Sequence, residues 1–150
     1  MTRKETLSST EHFKVIPAVY LILIKNDKIL LLRRQNTGFE DGNYSLIAGH
    51  VKENENPTQT VLREAMEEGG IKVNQKTLRL VHTMYRRQSG RIDLFFTAAD
   101  WEGEPTNMEP EKCDGLNWFP LGNLPRNIIP NARKVIEEHL VNKTVYSESE

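Results

Sequence analysis

The stretch "GHVKENENPTQTVLREAMEEGGI", Gly49 to Ile71, holds a helix whose ends are written into its own residues. Asn56 is a capping residue, Pro57 suits the first helical position, and Gln59 completes an N-x-x-Q capping box. Gly69 and Gly70 then stop the run, so the spacing predicts a helix over 57–68. At about 100° per residue, Thr58, Val61, Leu62, Ala65 and Met66 share one side, while Glu64, Glu67 and Glu68 share the other. Like charges at i,i+4 destabilise a helix by roughly 0.2–0.5 kcal/mol per pair. Glu67 and Glu68 also sit near the negative end of the helix dipole. Local stability therefore does not explain the acidic side. A hard divalent cation does, because Mg²⁺ takes a few carboxylates together with water and phosphate oxygens.

Apolar, β-branched segments lie on both sides of this helix. "VIPAVYLILI" (15–24) and "KILLLRR" (28–34) flank the turn-prone pair Asn26-Asp27 and read as a hairpin. "YSLIAG" (44–49) is a further short strand. "TLRLVHTMYRR" (77–87) and "RIDLFFTAA" (91–99) flank a Gln88-Ser89-Gly90 turn, and "GLNWFP" (115–120) is the last strand. In "NARKVIEEHLVN" (131–142), Val135, Ile136, His139 and Leu140 form the apolar stripe of a second helix. Strands, helix, strands, helix is the order of an α/β fold with a mixed sheet and helices against its faces. Residues 1–12 and 143–150 are polar and read as flexible ends of a single domain over 13–142.

The composition narrows the function class. With 20 basic and 21 acidic residues interspersed over 150, no basic stripe marks a surface for duplex nucleic acid. Cys113 is the only cysteine, which excludes an intrachain disulfide and fits a reducing cytoplasm. The longest apolar run, Val15 to Ile24, is too short to span a bilayer. The expected partner is a nucleotide-like small molecule rather than nucleic acid or membrane, with a homodimer left open.

Counting through the opening stretch gives Gly49, five residues, Glu55, seven residues, Arg63-Glu64, then Glu67-Glu68, Gly70 and Ile71. This spacing closely resembles the Nudix box, G-x5-E-x7-R-E-U-x-E-E-x-G-U with U aliphatic. The resemblance implies an α/β/α sandwich and a Mg²⁺- or Mn²⁺-dependent hydrolase of nucleoside diphosphate linked to another group. It implies that Glu64, Glu67 and Glu68, with the backbone carbonyl of Ala48, hold metal, and that one of these glutamates takes a proton from water. Arg63 would orient the glutamates by pairing with Glu55, and Gly49 and Gly70 would serve turns. Ile47-Ala48 stand where many members have proline and glycine, yet alanine keeps the carbonyl.

Many members add a glutamate on a loop before the last strand. Glu109 and Glu111 lie in that region, and Glu111 is the preferred candidate. Arg33, Arg34 and His50 are candidates to meet phosphates, with Arg86-Arg87 as further cations. Tyr44, Tyr85 and Phe39 are candidates to stack a base, and Asn127 or Asn131 to read its edge. "WEGEP" (101–105) is similar to the matching segment of the MutT-like nucleoside triphosphate pyrophosphohydrolases. The leading expectation is hydrolysis of a nucleoside triphosphate to monophosphate and pyrophosphate. ADP-ribose, nucleotide-sugar or related hydrolysis stands second, and a nucleotide-binding module without turnover third.

Overall fold

The computed structural model describes residues 11–150, so most of the polar start read as flexible lies outside the described residues. The strands are β1 (Ile16–Ile22), β2 (Ile24–Lys25), β3 (Lys28–Arg34), β4 (Tyr44–Ser45) and β5 (Ile47–His50) before the helix α1 (Pro57–Gly69). After it come β6 (Lys72–Val73), β7 (Leu78–Arg86), β8 (Arg91–Ala98), β9 (Trp101–Glu102) and β10 (Cys113–Pro120). Helix α2 opens as Pro130–Lys134, passes through a π-helical turn at Val135–His139 and closes at Leu140–Asn142, followed by β11 (Tyr146–Ser149).

The main sheet runs β11-β7-β8-β1-β5, and a second sheet runs β10-β3-β2 with β4 on β3. β1 lies parallel to β8 and β11 parallel to β7, while β5 is antiparallel to β1 and β8 to β7, so the main sheet is mixed. Side-chain alternation divides the core into two layers. Val19, Leu21 and Leu23 of the first apolar run, with Leu30 and Leu32 of β3, pack against Val61 and Ala65 of α1. Ile22 and, across the turn, Ile29 and Leu31 pack instead with Phe95, Met84 and the α2 residues Ala132, Val135 and Ile136. The fold is thus a mixed sheet with a helix against each face.

Two sequence expectations are corrected. The run Val15 to Ile24 is not one arm of a hairpin: it breaks at Leu23, so β1 joins the main sheet and only the two-residue β2 turns back on β3. Asn26 and Asp27 do form the turn, both at positive φ (53° and 60°). Residues 143–150 are not a loose tail either, because Tyr146–Ser149 pairs in parallel with Thr83–Arg86.

A histidine explains why that polar segment docks. His82 is fully buried, with Nδ1 2.6 Å from the Thr144 carbonyl and Nε2 2.7 Å from Ser147 Oγ. A carbonyl only accepts, so Nδ1 carries the hydrogen and Ser147 donates to Nε2. The His139 ring from the π-helical turn stacks on His82 at 4.3 Å. Removing Ser147 Oγ strands a buried acceptor, so Ser147→Ala is expected to cost about 1–3 kcal/mol in urea unfolding. An unchanged midpoint would mean that β11 is not anchored through this imidazole.

Candidate active site

Helix α1 is fixed at both ends by the predicted signals. Gln59 Oε1 accepts the Asn56 N–H at 2.7 Å, and Gly70 terminates the helix at φ 65° with its N–H on the Met66 carbonyl at 3.0 Å. Val61 and Ala65 are buried beneath, which turns Glu64, Glu67 and Glu68 toward β5 and the segments around it. Gly49 is required here for space: a Cβ at that position would lie 2.7 Å from Glu64 Cγ and overlap its carboxylate.

The acidic residues are organised around one guanidinium. Arg63 donates through Nε and Nη2 to both oxygens of Glu55, at 2.7 and 2.9 Å. Its Nη1 reaches Glu64 at 2.9 Å and Glu67 at 3.2 Å, and Nη2 also meets the His50 carbonyl at 3.3 Å. That bidentate hydrogen bonding holds the Glu55 carboxyl down at about 2. Thr60 Oγ1 and the Lys52 N–H complete the set of donors on Glu55.

Glu68 is left out of this network. Its Oε1 accepts the Ala48 N–H at 3.0 Å, and burial, with the Glu64 charge nearby, pushes its carboxyl up to about 8. Burial also raises Glu64. A desolvated carboxylate with a single amide donor is a group in want of a cation. It opens onto a cleft of about 430 Å³ lined by Glu64, Glu67, Glu68, Glu109, Lys112 and Arg33 among others. Among the described residues no three acidic, histidine or cysteine groups converge into a ready-made cage. Glu64 and Glu67 instead take Arg63. Oxygen donors of this kind around an open cleft fit a hard cation that keeps part of its water shell, and not a closed structural site.

The other expected residues separate into those that reach the cleft and those that do not. Glu109, not Glu111, lies in its wall. The loop is tied to the end of α1 by Thr106 and Met108 N–H groups on the Gly69 and Glu68 carbonyls, at 2.9 and 3.3 Å. Glu109 then turns inward, whereas Glu111 is exposed and presents only its carbonyl to Asn36. Arg33 lines the cleft but is paired with Asp114 through two bonds of 2.7 and 2.6 Å.

Arg34 stands between this cleft and a second cavity of about 170 Å³, and Ser45 and Ala48 are the other residues common to both. Its guanidinium donates to the Phe39 carbonyl at 2.7 Å and lies 5.4 Å over the Phe39 ring. Phe39, His50 and Asn131 line the second cavity together with Tyr20, Arg86 and Arg91. Three candidates fall elsewhere. Tyr44 packs edge-on against Phe119, Tyr85 lines neither cavity, and Asn127 donates to the Gly42 carbonyl at 2.7 Å. Tyr20, Arg91 and Asp93 were missed in the sequence. The available signal was a charged residue, Asp93, alternating with Arg91 and Phe95 on one face of an otherwise apolar strand.

The NUDIX domain family matches residues 14–139. The chain belongs to the Nudix family. Members of that family generally depend on a divalent metal. The NAD-capped RNA hydrolase NudC of Shigella dysenteriae serotype 1 (strain Sd197) is 32% identical over 127 residues, covering 83% of this chain and 48% of that protein. NudC of Pectobacterium atrosepticum is 30% identical over 139 residues, covering 91% of this chain and 52% of that protein. This Nudix chain therefore spans about half the length of these curated relatives. Among solved structures, a MutT NUDIX hydrolase from Burkholderia pseudomallei is 25% identical with a TM-score of 0.75, covering 83% of this chain and 98% of that one. The MutT protein of Methanosarcina mazei Go1, at 19% identity and a TM-score of 0.73 over 89% of this chain and 99% of its own, shares the fold. Among the described residues no helix is long and apolar enough to cross a membrane.

The raised Glu68 carboxyl has a pH consequence for the metal-free protein. Between an ordinary 4.5 and about 8 the folded chain keeps a proton that the unfolded chain has released, so stability falls as pH rises through that window. Glu68→Gln removes the ionisation, and its unfolding midpoint in chelator is expected to decline less with pH than that of wild type. Parallel declines would assign the pH dependence to other groups.

Proposed function

We propose that this chain is a pyrophosphohydrolase that cleaves a nucleoside triphosphate to the monophosphate and pyrophosphate, using Mg²⁺ or Mn²⁺. The observation that carries the reading is the pairing of an acidic, open cleft with one adjoining aromatic cavity across Arg34, Ser45 and Ala48. Such a pair suits a ligand with one nucleoside and one polyphosphate chain.

Glu64, Glu67, Glu68 and the Ala48 carbonyl would hold the cation, with Glu109 joining them from the loop. When bound, a divalent ion offsets charge on phosphate oxygens and makes water a better nucleophile near neutral pH. Arg63 keeps Glu55 and Glu64 in place without sharing in the chemistry, since its donors are already engaged. Arg34, at the junction, meets the phosphates, and Phe39 and Asn131 offer the base a ring face and an amide. One of these glutamates takes the proton of the attacking water.

A second reading, hydrolysis of a dinucleotide such as NAD or of ADP-ribose, is favoured by the curated relatives named as NAD-capped RNA hydrolases at 30–32% identity. A panel of nucleoside triphosphates, NAD, ADP-ribose and dinucleoside polyphosphates, assayed with Mg²⁺ or Mn²⁺ and resolved by anion exchange, separates the two. Pyrophosphate and monophosphate from a triphosphate are expected as the best-formed products, with activity lost in chelator and lowered about a hundredfold or more by Glu68→Gln. A higher kcat/KM for NAD would replace the first reading by the second.

A further inference from the structure

The hairpin end of the second cavity carries charges that the hydrolytic reading leaves unused. Strand register sets Arg86 opposite Arg91, Met84 and Ala18 opposite Asp93, and Tyr20 opposite both Phe95 and Ala48. Arg91, Asp93 and Phe95 alternate on one face of β8, so the cavity runs from the Ala48 junction, past the Tyr20–Phe95 stack, toward the two arginines. Arg86 Nη1 lies 3.2 Å from Asp93 Oδ2, Arg91 Nε 3.5 Å from Asp93 Oδ1, and Arg91 Nη2 donates to Tyr20 Oη at 2.8 Å.

This cluster holds more donors than acceptors. Asp93 is fully buried, yet its Oδ1 and the Nε groups of Arg86 and Arg91 have no hydrogen-bond partner within the protein. Two guanidiniums face one carboxylate, so a positive charge remains uncompensated in a half-enclosed wall. Buried donors without acceptors are costly, and a buried charge without a counterion more so. A neutral base edge would supply acceptors but leave the charge. An anion supplies both, and planar guanidiniums match phosphate oxygens in pairs.

We propose that Arg86 and Arg91, held by Asp93, form a phosphate subsite distinct from the metal cleft. Resting on the nucleotide reading above, the subsite takes a phosphate borne on the ribose of the substrate's nucleoside, at the end opposite to the anhydride. Asp93 is a positioning residue that aims both guanidiniums and lowers the charge they carry when the site is empty. The same chemistry would also accept free inorganic phosphate.

Binding of non-hydrolysable probes tests this independently of turnover. In calorimetric titrations of the whole chain, adenosine 3′,5′-bisphosphate or its 2′,5′ isomer is expected to bind about tenfold to a hundredfold more tightly than adenosine 5′-monophosphate. Arg86→Gln and Arg91→Gln each bring that ratio toward one, and Arg91→Lys restores part of it. Inorganic phosphate then distinguishes the sources: competition with the bisphosphates alone assigns the subsite to a ribose phosphate, and binding that coexists with either bisphosphate or monophosphate assigns it to the free ion. Equal affinities for monophosphate and both bisphosphates in wild type, with no phosphate binding, overturn the proposal. Circular dichroism melts of the variants identify a loss caused by misfolding, and Arg91→Lys, which keeps the charge, then decides the matter. A tenfold preference in a protein that cleaves no triphosphate would sink the triphosphate reading and leave the subsite standing.

Discussion

One guanidinium, Arg63, makes it possible for this helix to carry its carboxylates. Glu55, Glu64 and Glu67 all touch it, and its bidentate bond to Glu55 fixes the loop that enters α1. Without it, three carboxylates would repel across a partly buried helix face. Lysine, a point charge with a single nitrogen, does not reproduce contacts from three separate guanidinium nitrogens. Because Arg63 is saturated, Glu68 has to find another partner, and it finds only the amide of Ala48. The chemistry of the cleft depends on that shortage of cations.

The fold supplies the platform by alternation. Val19 and Leu21 of β1 bury toward α1 and Ile22 toward α2, so the same short strand anchors a helix on each face. α1 hangs the acidic cleft on one side of β5. The start of α2, with Asn131 and Ala132, closes the neighbouring cavity from the other side.

What was legible in the sequence was mostly local or fixed by spacing. The ends of α1 follow from Asn56, Pro57, Gln59 and Gly70, whose effects act within one turn. The position of Arg63 between Glu55 and Glu64 follows from counting along the box. The illegible parts depend on distant partners. Leu23 has no feature that marks it as a switch between sheets; its place follows from β1 pairing with β8 and β5 while β2 pairs with β3. Residues 143–150 look solvated until His82, some sixty positions earlier, is known to need Thr144 and Ser147. The choice between Glu109 and Glu111 turns on a loop tied to the end of α1, and that between Asn127 and Asn131 on where α2 begins. Tyr44 and Tyr85 are on strands whose facing residues only the register reveals.

Ala48 belongs to both hollows at once. Its N–H meets the Glu68 carboxylate, its neighbour on the adjoining strand is Tyr20, and its own atoms wall the space beside Arg34. A ligand that shifts this single peptide must be felt in both places, and thermodynamic reciprocity requires the effect to be equal in each direction. Whatever factor a seated nucleoside contributes to the retention of an ion, the ion returns to the nucleoside. Order of arrival then leaves the final complex unchanged and alters only the route to it.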